Sequence, residues 1–185
     1  SHAATHVSAA HLESFYKNFN EVKNNRYDGM IITGAPVEQL AFEEVDYWDE
    51  LVGIMDYAKK HVHATLYICW GAQAGLYHHY GIPKYGLPRK LSGIFSHTIN
   101  DPTNQLFRGF DDVFHAPHSR HTEVRGEDIA KIPTLEILAE SDEAGVLVAG
   151  TLDGRSMFIT GHLEYDRDTL DAEYRRDVAK GMEIT

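Results

Sequence analysis

A single cysteine in 185 residues leaves no partner for an intrachain disulfide, and nothing points to an oxidising compartment. Cationic side chains are also scarce, with 17 Lys and Arg against 28 Asp and Glu, a formal net charge of −11. So acidic a chain lacks the clustered cations that phosphate contacts need, which argues against general nucleic-acid binding but leaves room for one anionic ligand in a locally basic pocket. No apolar run approaches membrane-spanning length, and the His- and Ala-rich opening, Ser1 to Phe15, reads as neither signal peptide nor anchor. Repeats and Pro/Gly-rich linkers are missing too. Residues 1–185 therefore read as a single α/β domain, expected to be soluble and cytoplasmic.

What is present alternates between helical and strand periods. Ala9–Phe19 looks helical, Tyr27–Thr33 reads as a strand broken by Gly34-Ala35-Pro36, and Val45–His61 is an amphipathic helix. Thr65–Ile68 forms a buried strand running into Cys69-Trp70-Gly71 and a helix over Ala72–Tyr80. Further strands are expected at Ser92–Thr98, Val113–Ala116, Leu135–Ala139, Gly145–Thr151 and Ser156–Thr160, the last two joined by Asp153-Gly154 as a hairpin. Asp168–Gly181 closes as a helix with Leu170, Tyr174 and Val178 on one face and Gly181 as its cap. This order predicts an open, mainly parallel sheet flanked by helices, with a later antiparallel addition. A doubly wound sheet usually begins with a central strand, whereas this chain opens on a helix and stops after one. We therefore expect it to be part of a longer polypeptide, lacking a first strand and a C-terminal extension.

Strand, Cys69, one residue, Gly71 and helix is the arrangement of a nucleophile elbow. The helix amino terminus would favour thiolate and lower the cysteine pKa, while the Trp70 N–H would stabilise an oxyanion, with Gly34 and Ala35 of the neighbouring turn as a second backbone donor. A buried, inert cysteine fits the local pattern equally well. A nucleophile needs a base, and the base an orienting group. His162 and Glu164, one residue apart just after the strand Ser156–Thr160, would emerge together on one face of extended chain.

Other clusters read differently. His115, His118 and His121 recur every third residue, but Pro117 breaks any helix that would align them and no Cys or carboxylate joins them, so no metal site is expected. His61, His63, His78 and His79 are expected to be solvated or partly exposed. Lys84, Arg89, Lys90, Arg108 and Arg120 are the cations to consider for an anionic ligand.

Five segments then converge. Thr33-Gly34-Ala35-Pro36, Ile68–Gly75, Tyr80–Tyr85, Ala116–Glu123 and Thr160–Asp166 resemble, in order and over essentially the whole chain, the homoserine O-acyltransferases of the bacterial methionine pathway, built on a class I glutamine-amidotransferase-like fold. The resemblance implies a ping-pong reaction with Cys69 as acyl carrier, His162 as base and Glu164 as its orienter. It implies acceptor binding by Lys90, Ser119 and Arg176, and acyl-donor selection by Glu38. A glutamate there looks like the acetyl-transferring members, a glycine like the succinyl-transferring ones. The expectation is acetyl-CoA as co-substrate, L-homoserine as acceptor, no permanently bound cofactor and a homodimer. L-Serine as acceptor, succinyl-CoA as donor, a glutamine amidotransferase and a non-catalytic interaction domain are the alternatives.

Overall fold

The structure is a computed structural model describing residues 16–166 and 168–184. Apart from its last residues, the helix expected over Ala9–Phe19 lies outside them. A short helix, α1 (Phe19–Val22), starts at Asn18, whose side chain and that of Glu21 cap each other's backbone N–H. Strand β1 (Tyr27–Ile32) leads through a 3-10 turn (Phe42–Glu44) into α2 (Trp48–His61). Asp49 and Glu50 open α2 and Lys59, Lys60 and His61 close it, each sign facing the favourable end of the helix dipole. Strand β2 (Val62–Ile68) and helix α3 (Trp70–Tyr80) follow.

The next segment is the long ribbon β3 (Tyr85–Ile99) and β4 (Val113–Glu123), then a short helix α4 (Gly126–Ile129), strands β5 (Leu135–Ser141), β6 (Gly145–Thr151) and β7 (Ser156–Ile159), and helix α5 (Thr169–Ala179). The seven strands form one sheet in the order β1-β2-β7-β6-β5-β3-β4. The pairs β1–β2 and β2–β7 are parallel. The β6–β7 hairpin is antiparallel in the register Val148 to Ile159, and the strands beyond it are antiparallel too.

The antiparallel addition is longer than its sequence suggests. In β4 the buried positions beyond Ala116 are His118, Arg120 and Thr122, so the strand alternation is real but not apolar. Among the described residues the ribbon pairs with the rest of the sheet where Thr98 and Ile99 face Glu140 and Ala139. Midway along β4 the ribbon meets the segment that follows β7, where the Pro117 carbonyl accepts from the His162 N–H at 2.9 Å.

Adjacent residues of the central strands serve opposite faces. Tyr67 and Phe158 enter the cluster containing Met55, Trp70 and Leu76, while Leu66 and Ile159 join Leu138, Leu147 and Val148. Among the described residues no helix is long and apolar enough to cross a membrane.

Candidate active site

Three parallel strands end at one edge, the position where open α/β sheets hold ligands. β1 delivers Thr33-Gly34-Ala35, β2 delivers Cys69, and β7 delivers Thr160-Gly161-His162. Cys69 has φ 56° and ψ −125°, the only non-glycine residue with positive φ among those described. Such strain persists because both sides of the residue are tied. Its N–H donates to the Ile159 carbonyl at 2.7 Å, and its own carbonyl accepts from Ala72 at 3.0 Å to start α3. Gly71 makes the turn possible: a Cβ there would stand 2.6 Å from the Ile32 carbonyl oxygen and 2.9 Å from that of Thr33.

The expected lowering of the thiol pKa is not what the structure yields. The Trp70 N–H does bond to the sulfur and favour thiolate, but burial outweighs it and pushes the Cys69 thiol up to about 12, with Glu38 and Glu164 adding to the rise. The helix-end field acts on a group removed from water, and the loss of hydration is the larger effect.

His162 and Glu164 meet as the one-residue spacing predicts, with Nδ1 and Oε1 2.8 Å apart. An ionised Glu164 accepts from Nδ1–H, which leaves the Nε2 lone pair available. The ring also stacks on Tyr165, centroids 4.2 Å apart and planes 19° apart.

Cys69, His162, Gly34, Ala35, Glu38, Lys90, Ser119 and Arg176 line one cleft of about 610 Å³, together with His121, Tyr165 and Glu173. Lys90 sits in a bulge where β3 loops out between Gly86 and Leu91, a device that re-aims side chains. Its Nζ is 2.5 Å from Asp177 Oδ2, and the other oxygen of Asp177 accepts from Arg176 Nε at 2.8 Å. Glu38 Oε1 accepts from the N–H groups of His121 and Thr122, at 2.8 and 2.7 Å, and from the Thr122 hydroxyl at 2.7 Å.

Sequence reasoning missed Asp177, Thr122 and any role for Tyr165. Helix α5 turns a different face inward from the one expected. Tyr174 and Val178 are each 49% exposed, while Asp177 is 2% exposed. Its signal is a carboxylate seven residues after Leu170, in step with the helical repeat but polar.

Of the five cations considered for an anionic ligand, Lys90 alone lines the cleft. Lys84 instead donates to the carbonyls of Glu38 and Leu40, pinning the loop beside it. Arg120 is buried and donates to the Thr122 and Ala144 carbonyls and to His118 Nδ1. Arg89 and Arg108 are exposed. His118 faces the opposite side of β4 from His115 and His121, and its ring meets that of His97, Nε2 to Nε2, at 3.0 Å. Burial drives the His118 pKa down to about 2. Asp56, His78 and His79 bring one potential ligand atom each within 4.8 Å of one another, outside the cleft, and His78 Nε2 already pairs with Asp56 at 2.7 Å.

Comparison with known proteins separates fold from family. A glutamine amidotransferase from Thermotoga maritima superposes with a TM-score of 0.65 at 15% identity, over 85% of this chain and 66% of that one. Another glutamine amidotransferase, from Methylobacillus flagellatus, gives 0.62 at 10% identity, over 86% and 78%. At such identities the likeness establishes the class I glutamine-amidotransferase-like α/β fold and no more. Curated relatives are far nearer in sequence. The homoserine O-acetyltransferase of Brevibacillus brevis is 60% identical over 184 residues, and that of Bacteroides fragilis 59%, each match covering all of this chain. The chain spans 60% of the length of both relatives. The profile of the homoserine O-succinyltransferase family matches residues 1–185 throughout, and the chain belongs to that family.

Proposed function

We propose that this chain carries the acyl-transfer site of a homoserine O-acetyltransferase, moving an acetyl group from acetyl-CoA through Cys69 to the hydroxyl of L-homoserine. The observation that carries the reading is the single cleft in which a strained cysteine and a glutamate-held histidine share walls with a Lys90–Asp177–Arg176 group. The names of the curated relatives support both the acetyl group and the acceptor.

The chemistry follows from the thiol's resting state. With the thiol held protonated, the Cys69 sulfur attacks the thioester carbonyl as the His162 Nε2 takes its proton. Negative charge then develops on the carbonyl oxygen beside the Trp70 N–H and the Gly34-Ala35 backbone. Collapse breaks the carbon–sulfur bond to coenzyme A, whose thiolate receives the proton from His162. In the second half the acceptor hydroxyl gives its proton to His162 and attacks the Cys69 thioester. The ester leaves and Cys69 recovers its proton. No resident cofactor is needed, because the donor thioester is already activated. Lys90 and Arg176 offer charge-assisted donors for the acceptor carboxylate, and Ser119 a hydroxyl to orient it. The carboxylate of Glu38 on the same wall opposes a second carboxylate on the acyl chain, which favours acetyl over succinyl.

Intact-mass measurement after mixing with acetyl-CoA tests the scheme. An acetyl adduct on the wild type, absent from Cys69→Ala and discharged by homoserine faster than by serine, is the expected result. No adduct removes the ping-pong reading, and faster discharge by serine reassigns the acceptor. Release of ammonia from glutamine would instead favour an amidotransferase.

A further inference from the structure

The two cleft cations come from different parts of the chain, Lys90 from the bulge of β3 and Arg176 from α5, and one buried carboxylate joins them. Asp177 is 2% exposed and Lys90 6% exposed, so the contact between them is sealed from water. The geometry of the bonds matters more than their number. Asp177 takes Nε of the guanidinium, leaving the two terminal nitrogens for another partner. Glu173 Oε1 stands 3.9 Å from one of these nitrogens, beyond hydrogen-bond reach. Two unopposed cations would repel each other and stand apart.

We propose that Asp177 is a positioning residue that assembles Lys90 and Arg176 into a clamp for a single carboxylate, that of the amino-acid acceptor. The inference rests on the acyl-transfer reading above and assigns Asp177 to its second half-reaction alone. A residue that merely docks α5 on β3 would affect both halves together. A clamp residue spares loading of Cys69 and impairs discharge.

The test uses the protein at its full natural length, as wild type, Asp177→Asn and Asp177→Glu, with the two half-reactions measured separately. Asparagine should leave the rate of acetyl-adduct formation within about twofold of wild type and raise the homoserine KM on the order of 10- to 100-fold, the scale of a lost charge-assisted hydrogen bond. Glutamate keeps the buried charge and should restore part of the loss. Circular dichroism and thermal melting check that each variant is folded. Normal discharge in Asp177→Asn overturns the proposal. So does equal loss of loading and discharge in both variants, which makes Asp177 structural only. A wild type that forms no acetyl adduct defeats the acyl-transfer reading itself, and the clamp with it. The two failures are thus distinguishable, the one appearing in the variants and the other in the parent.

Discussion

Gly34 lies so close to Cys69 that a Cβ built on it would stand 3.0 Å from the cysteine Cβ, 3.2 Å from its sulfur and 3.3 Å from the Trp70 nitrogen. The missing side chain leaves a space bounded by the nucleophile and a backbone donor, where a carbonyl oxygen on the reacting carbon would sit. Gly34→Ala fills that space. We expect a folded protein whose acetyl-adduct formation slows by roughly 100-fold, since sub-ångström misplacement of reacting groups has effects of that order. Stopped-flow release of coenzyme A would check it. A rate within threefold of wild type would show that the oxyanion lies elsewhere.

The raised thiol pKa predicts how Cys69 reacts with small electrophiles. Burial holds the folded thiol at about 12, so the thiolate fraction is small at neutral pH and grows about tenfold per unit below that value. Iodoacetamide alkylation should therefore climb steadily from pH 7 to pH 10 without levelling. A plateau below pH 8 would reveal a resting thiolate–imidazolium pair and refute the sequence of proton transfers given above.

How far such features were legible depends on whether chemistry and burial pattern agree. Cys69 is legible because it follows the strand-forming run Thr65-Leu66-Tyr67-Ile68 and because Gly71 permits a close turn. His162 and Glu164 were legible because they follow a strand whose end is apolar. Strand β4 was half hidden because His118, Arg120 and Thr122 occupy its buried positions, where pattern reading looks for apolar side chains. Asp177 was hidden for the same reason on a helix. The direction of the cysteine shift is not legible in the sequence, because helix-end fields can be read from local order whereas burial depends on parts of the chain far from Cys69.

The Glu164 carboxylate fixes which nitrogen of His162 carries a proton, and the pair is only partly sheltered, Glu164 being 47% exposed. Glu164→Gln keeps the size and can present either an oxygen or an amide to Nδ1, so the productive tautomer is no longer enforced. We expect kcat to fall by about 100-fold, less than for a fully buried orienting carboxylate, with the homoserine KM little changed. A large KM change with unaltered kcat would move Glu164 from the proton-transfer chain to the binding surface.

Glu38 separates two explanations of donor choice, crowding and charge. Its Oε1 is parked on the amino-terminal side of Glu123 by three donors from His121 and Thr122, so the side chain cannot swing clear to admit a longer acyl group without breaking them. Glu38→Gly removes both bulk and charge and should raise the ratio of succinyl-CoA to acetyl-CoA use, measured as kcat/KM for each donor. Glu38→Gln keeps the bulk and removes the charge, and its amide oxygen can still accept from the Thr122 N–H. If repulsion of the succinyl carboxylate dominates, glutamine recovers most of the glycine effect. If crowding dominates, glutamine stays close to wild type and glycine alone shifts the ratio. Unchanged preference in both variants removes Glu38 as the selector and leaves its role as a tie between the Gly34–Leu40 loop and the end of β4.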